Sequence, residues 1–146
     1  MTENDFRIQY SSLIETYQYI EFRLKAICAD LLVGKDKRWM EILKDYDSDP
    51  LGKMLQEIVS IQNRTRCFYL TKSDIDNLNE LREERNYWCH HCFGGGDIVF
   101  TRNGLLKNNG YATMLLDAIR KAEEWDEKLA SIARQIASDK SVLSYL

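Results

Sequence analysis

The stretch from Glu84 to Phe93, ERNYWCHHCF, concentrates side chains that could do chemistry. It holds an arginine, an asparagine, two histidines and two cysteines within ten residues. These residue types suit a metal site, a thiol redox pair or a metal-free acid–base site. The spacing of the side chains decides among these three.

The run CHHC at 89–92 argues against metal and redox chemistry. Consecutive residues on a helix point about 100° apart, so these four side chains cannot converge on one ion. A structural zinc site also needs a second pair of ligands, and Cys28 and Cys67 each stand alone. The CxxC spacing lacks the strand–helix–strand context of a redox motif. We therefore predict no metal site and no cofactor, with the cysteines serving as small helix-packing residues.

Arg85 stands where an apolar residue is expected. A buried charge is costly unless it is paired, so this position needs an explanation. One alternative is a structural arginine that snorkels or meets a carboxylate of a neighbouring helix. The other is a functional arginine. The apolar stripe that contains it, at spacings of three and four, is Leu78, Leu81, Arg85, Trp88 and Cys92.

Two further residues support a functional arginine. Asn86 and His90 are four apart and share a helix face, whereas His90 lies about 140° around an α-helix from Arg85. A distortion near the helix end, or a second copy facing the first across a two-fold axis, would bring the arginine and histidine together. Histidine moves protons near neutral pH, and arginine suits phosphate oxygens. This set fits RNA cleavage through attack of the ribose 2′-hydroxyl, which DNA lacks.

The rest of the chain supplies a scaffold. Its 146 residues suit one domain, 1–146, and its net charge of −3 disfavours binding of nucleic acid by bulk charge. No signal peptide or long apolar run is evident, so we expect a cytoplasmic protein that does not enter a membrane.

Hydrophobic periodicity predicts an all-α fold, an antiparallel bundle of four to five main helices. Asn103-Gly104 between apolar runs indicates a short hairpin near 97–108. The expected helices run from about Asn4 to Val33, over 37–46, from Pro50 to near Asn63, from a cap at Thr71 or Ser73 to the glycines at 94–96, and onward from about Tyr111.

At the motif the sequence resembles the HEPN family (higher eukaryotes and prokaryotes nucleotide-binding). The family signature is an arginine, usually a polar residue after it, four to six intervening residues and a histidine. Arg85, Asn86 and His90 match it, and Phe93 matches an aromatic that often follows. The resemblance covers about 15 residues in detail.

The resemblance implies a bundle that forms a homodimer through its motif helices. It implies a metal-independent endoribonuclease that acts on RNA, as a toxin of a toxin–antitoxin module with an antitoxin partner or in defence against phage. By position, Arg85 and His90 would be catalytic and Asn86 supporting. His91 is an auxiliary or alternative histidine, because the signature also allows five intervening residues after the arginine. His90, with four intervening residues, is preferred because it shares a helix face with Asn86.

One departure from the family concerns Cys92. A toxin subgroup carries a tyrosine there that a partner nucleotidyltransferase modifies, so we do not expect that regulation here. The alternative function is a non-catalytic HEPN-like module that binds a nucleotide or a protein. It predicts binding without cleavage.

Overall fold

The computed structural model describes residues 1–32, 41, 44 and 51–143. Within these residues four α-helices pack into an all-α bundle, which confirms the predicted fold class. The helix expected over 37–46 falls, apart from two helical positions, outside the described residues. The helices are α1 (Glu3–Leu32), α2 (Leu51–Thr65), α3 (Lys72–Asn86), which continues into a π-helical turn (Tyr87–His91), and α4 (Gly110–Leu143).

The helix that carries the motif, α3, runs antiparallel to α4. Near its end, Glu84 pairs with Lys121 at 3.0 Å, and near its start Asp74 pairs with Lys128 at 2.6 Å. The residue nearer the end of α3 thus pairs with the residue nearer the start of α4, and the other pair shows the reverse order. The predicted antiparallel arrangement therefore holds for this pair.

The two longest helices, α1 and α4, run in the same direction. Just before α1 and α4 begin, the amide of Leu106 donates to the carbonyl of Met1 at 2.9 Å. Further along both helices, Arg23 pairs with Asp126 at 3.2 Å. The bundle thus mixes parallel and antiparallel neighbours, because α1 and α4 are distant in sequence and no short turn joins them.

The apolar stripes predicted from the sequence form one core. Burying a large apolar side chain contributes about 1.5–3 kcal/mol, so packing of these faces holds the helices together. Among the fully or almost fully buried residues are Phe6, Leu13, Ile20, Leu24 and Ile27 of α1, Leu78 and Leu81 of α3, Trp88 of the π turn, and Leu115, Ala122, Leu129 and Ile136 of α4.

The region 97–108 is a compact turn rather than a pair of strands. Phe100 and Leu106 form an isolated antiparallel bridge, and Thr2 forms another with Leu105. Gly104 adopts a positive φ of 72°, as an Asn-Gly turn requires. The predicted hairpin is therefore present only as a turn with isolated bridges, and the N-terminus supplies part of its pairing.

Within the part of the chain that the structure describes, no helix combines the length and apolar character needed to cross a membrane.

Candidate functional site

The end of the motif helix widens into a π turn at Tyr87–His91. The amide of Cys92 donates to the carbonyl of Tyr87 at 3.0 Å, five residues back, instead of to Trp88. The freed carbonyl of Trp88 accepts the hydroxyl of Tyr10 at 2.7 Å and the thiol of Cys92 at 3.1 Å. A hydroxyl from α1 thus takes the place of a helical amide and stabilises the wide turn.

This widening changes which side chains lie above one another. In an α-helix, residues five apart are about 140° apart, whereas an i→i+5 hydrogen bond brings residue i+5 back over residue i. The printed i→i+5 bond joins Tyr87 and Cys92, and Arg85 lies in the α-helix just before the turn, so the turn shifts His90 and His91 from their α-helical positions relative to Arg85. The helical distortion considered from the sequence is present. The α-helical spacing that favoured His90 over His91 does not apply inside the π turn.

The motif residues differ in exposure. Arg85 and Asn86 are half-buried, whereas His90 and His91 are exposed. The two imidazole ring centres are 6.5 Å apart, with their planes 77° apart. Among the described residues, no hydrogen bond or ion pair joins Arg85, Asn86 and His90. A single chain therefore places these side chains at one helix end without bringing them into contact.

Arg85 forms no ion pair with a carboxylate of the described residues. Burial raises the pKa of the Cys89 thiol, and the adjacent Arg85 guanidinium opposes that rise by its charge and a hydrogen bond. Burial also raises the pKa of Tyr17, aided by Glu84 and opposed by Arg85. Both groups are neutral at physiological pH, so they do not compensate the charge of Arg85.

The hydroxyl of Tyr17 is buried and has no hydrogen-bond partner among the residues that the structure describes. An unsatisfied buried hydroxyl costs about 1–3 kcal/mol. Arg85 lies close enough to influence the charge state of this hydroxyl, so Tyr17 belongs to the surroundings of the motif arginine.

Phe93, the aromatic that follows the motif, packs against α1. Its ring lies 5.2 Å from the ring of Tyr10 and 6.2 Å from that of Phe6, both nearly edge-to-face. The guanidinium of Arg7 lies 5.6 Å from the ring centre of Phe93. These contacts hold the end of the π turn against α1.

The glycine run closes the turn. The amide of Gly95 donates to the carbonyl of His91 at 2.8 Å. A Cβ atom at Gly95 would lie 2.7 Å from that carbonyl oxygen, and Gly96 adopts a φ of 81°. Residues with side chains would strain both positions, which explains why glycines follow the motif.

The predicted catalytic residues lie outside the neighbouring cleft. A cleft of about 410 Å³ opens between the motif helix and α4, and Tyr87 and Trp88 line it on the motif side. Arg85, Asn86, His90 and His91 do not line this cleft. His90 and His91 are exposed to solvent, and Arg85 and Asn86 are partly so.

Metal and disulfide chemistry find no support in the described residues. No group of three or more histidine, cysteine, aspartate or glutamate side chains is close enough there to hold an ion. All four cysteines are free, including the buried Cys92 and the half-buried Cys89.

Two residues near the motif were not singled out from the sequence. Tyr10 and Tyr17 lie on α1, for which hydrophobic periodicity predicted only a helix from about Asn4 to Val33. Nothing in that periodicity indicates that the hydroxyl of Tyr10 bonds a carbonyl 78 residues away or that the hydroxyl of Tyr17 stays unpaired.

The chain matches no protein-family model, no curated protein and no solved structure. The resemblance to the HEPN family therefore rests on the motif and its helical setting.

Proposed function

We propose that this protein is a metal-independent endoribonuclease of the HEPN type. It would act as a toxin of a toxin–antitoxin module or in defence against phage. Arg85, Asn86 and His90 of two chains would form one cleft at a homodimer interface, with His91 as an auxiliary histidine.

The observation that carries this proposal is the π turn that follows Arg85. It widens the helix between Arg85 and His90, and a distortion there is one of the two ways in which these side chains could act together. The half-buried Arg85 has no carboxylate partner among the described residues, so its charge is free to bind a phosphate. Exposed imidazoles beside it are accessible to a polymeric substrate.

The chemistry requires two proton transfers and no metal. One histidine takes the proton of the ribose 2′-hydroxyl, whose oxygen attacks the adjacent phosphorus. The bond from phosphorus to the 5′-oxygen breaks, and a second histidine gives that oxygen a proton. Arginine stabilises the extra negative charge on the phosphate. The products are a 2′,3′-cyclic phosphate and a 5′-hydroxyl.

Cleavage of RNA in EDTA tests this function. The purified protein should cut mixed cellular RNA, leave DNA intact and produce 2′,3′-cyclic ends. Replacing Arg85 or His90 by alanine should lower the rate at least about 100-fold, the usual contribution of a charge-stabilising group or a general acid–base. A substrate with 2′-deoxyribose at the cleaved position should resist cleavage, because its nucleophile is missing.

The matched control is Arg134→Ala, which removes an exposed arginine of α4 far from the motif. It should retain full activity. His91→Ala, assayed beside His90→Ala, shows which histidine acts. Mixing the Arg85→Ala and His90→Ala proteins should restore part of the activity if two chains share one cleft.

Intact RNA, or cleavage that both alanine variants retain, would rule out this function. If the protein instead binds a nucleotide or a protein without cleaving RNA, the non-catalytic alternative replaces it.

A further inference from the structure

A groove runs between α3 and α4, on the side of the motif helix next to α4. Two adjoining clefts, of about 410 and 140 Å³, form it and share Glu84 and Lys121 in their walls. On α4 the groove extends from Met114 to Trp125, about 16 Å along the helix axis. We call it the α3–α4 groove; its lining residues on α3 and the π turn are Asn77, Glu80, Leu81, Glu83, Glu84, Tyr87 and Trp88, and on α4 Met114, Asp117, Ala118, Lys121 and Trp125.

The wall of the groove is acidic. It carries the carboxylates of Glu80, Glu83, Glu84 and Asp117 against the single ammonium of Lys121, a balance of −4 + 1 = −3. Lys121 pairs with Glu84 at 3.0 Å. Glu80 and Glu83 are exposed and form no ion pair with a described residue. Two carboxylates therefore remain available to a cation.

Arg120 offsets part of the negative charge of Asp117, one of the groove carboxylates. It pairs with Asp117 at 3.4 Å and with Glu124 at 3.0 Å, and all three side chains are more than half exposed. Exposed pairs of this kind contribute little, because water screens them. The groove keeps an excess of negative charge.

The groove also offers apolar and aromatic surface. The side chain of Met114 is 49% exposed, which leaves a flexible apolar contact without a partner. Tyr87 is half-buried, so part of its side chain faces solvent. Trp125 is half-buried as well, but the ammonium of Lys128 already lies 4.9 Å from its ring centre, so Tyr87 is the aromatic contact offered to a partner. Aromatic faces attract lysine and arginine side chains, whose aliphatic stems also pack on apolar surface.

From this combination we infer that the α3–α4 groove binds a basic amphipathic helix of a partner protein. Cations of that helix would pair with Glu83 and Asp117, and its apolar face would contact Met114. The 16 Å length matches about three helical turns. The acidic wall repels phosphate, which makes a nucleic acid an unsuitable occupant.

Such a partner would bind within one helical turn of the proposed catalytic arginine, since Glu83 and Glu84 directly precede Arg85. Binding itself requires no ribonuclease activity. It can therefore be measured even if the protein cleaves no RNA.

Fluorescence anisotropy with designed peptides tests this groove. The probe is a fluorescein-labelled 14-residue helical peptide with lysines on one face and leucines on the other. Comparison peptides replace each lysine by glutamate or shuffle the sequence so that no apolar face remains. We expect the basic amphipathic peptide to bind at least tenfold more tightly than either comparison peptide, and more weakly as salt rises.

Matched variants locate the binding site. Glu83→Gln combined with Asp117→Asn should weaken binding at least fivefold. Asp76→Asn combined with Glu123→Gln removes two exposed carboxylates that do not line the groove and should leave binding unchanged. The indole NMR signal of Trp125 should shift on titration with the peptide.

Several outcomes would overturn the inference. These are no binding of the basic peptide, equal binding of the acidic peptide, equal weakening by both variant pairs, or displacement of the peptide by a short RNA. A homodimer in solution whose interface protects the groove from hydrogen exchange would give the groove a different occupant, a second copy of the chain.

Discussion

The two ends of the motif helix are stabilised in different ways. At its start, the Thr71 hydroxyl accepts the Asp74 amide at 3.1 Å, and the Asp74 carboxylate accepts the Thr71 amide at 2.9 Å. At its end, the carbonyl of Trp88 depends on a hydroxyl from α1. The start of the helix is capped mainly by hydrogen bonds between residues three apart in sequence. The end instead has a hydrogen bond from a different helix.

This difference separates a structural end from a candidate functional end. A reciprocal capping box satisfies the first amides and leaves little to adjust. A π turn disrupts the regular backbone pattern, and such turns are frequent at functional sites. The substitutions below test whether the two ends respond differently, from the largest expected effect to the smallest.

Gly95→Ala should produce the largest loss of stability. The new methyl group would meet the His91 carbonyl oxygen at 2.7 Å, and that oxygen belongs to the backbone and cannot rotate away. We expect the free energy of unfolding to fall by about 3 kcal/mol, as for other overpacked sites. Urea denaturation measures this change.

Gly94→Ala is the matched control for that substitution. The nearest atom to its Cβ would be the His90 carbonyl oxygen at 3.8 Å, an ordinary contact. A change below about 0.5 kcal/mol is expected here. Similar losses at both glycines would contradict the steric explanation.

Tyr10→Phe tests whether α1 stabilises the π turn. Removing the hydroxyl leaves the Trp88 carbonyl with only the Cys92 thiol, at a cost of about 2 kcal/mol. The Cys92 amide is then expected to return to the Trp88 carbonyl, which converts the turn to α-helix. Urea denaturation measures the cost, and backbone carbon chemical shifts of residues 87–92 report the conversion.

Tyr19→Phe controls for the loss of a phenol hydroxyl. Tyr19 is exposed, and its hydroxyl donates to Glu15 at 2.7 Å on the surface of α1. Its removal should change stability by less than about 0.5 kcal/mol. If Tyr10→Phe leaves the chemical shifts of the turn unchanged, the tertiary hydrogen bond is not what maintains it.

Asp74→Asn tests the other end and should cost about 1 kcal/mol. Burial would raise the pKa of Asp74, but hydrogen bonds from Lys128 and Thr71 outweigh it and leave the pKa below the ordinary value of 3.8. A lowered pKa means that this stability is present above pH 3.8 and is lost as the pH falls through the lowered pKa. The difference between wild type and variant should therefore shrink in strong acid.

Asp76→Asn, an exposed position of the same helix, is the control and should be close to neutral. Thermal unfolding between pH 2 and pH 7 measures both variants. A stability difference for Asp74→Asn that is constant across this range would exclude ionisation of Asp74 as its cause.

The sequence predicted what depends on local patterns. The stripes of α1 and α4, a cap at Thr71 or Ser73 and the glycine stop all depend on nearby residues, and the structure contains them, with Thr71 as the cap. The partly buried position of Arg85 also followed from its place in a stripe.

What the sequence left undetermined depends on contacts between distant residues. In the π turn, the Trp88 carbonyl accepts the hydroxyl of Tyr10, 78 residues away, and no local periodicity encodes that contact. The shared direction of α1 and α4 and the reduced hairpin likewise depend on the N-terminus meeting residues beyond 100. The catalytic role of Arg85, Asn86 and His90 stays a prediction.

The pairing of α1 with α4 has a consequence for biosynthesis. The ribosome completes α1 at Leu32 long before it begins α4 at Gly110, so the apolar face of α1 emerges without its main neighbour. Closing so long a loop is slow, and exposed apolar surface is prone to aggregation meanwhile. We therefore expect this core to form only after α4 has left the ribosomal tunnel, with α1 a substrate for chaperones until then.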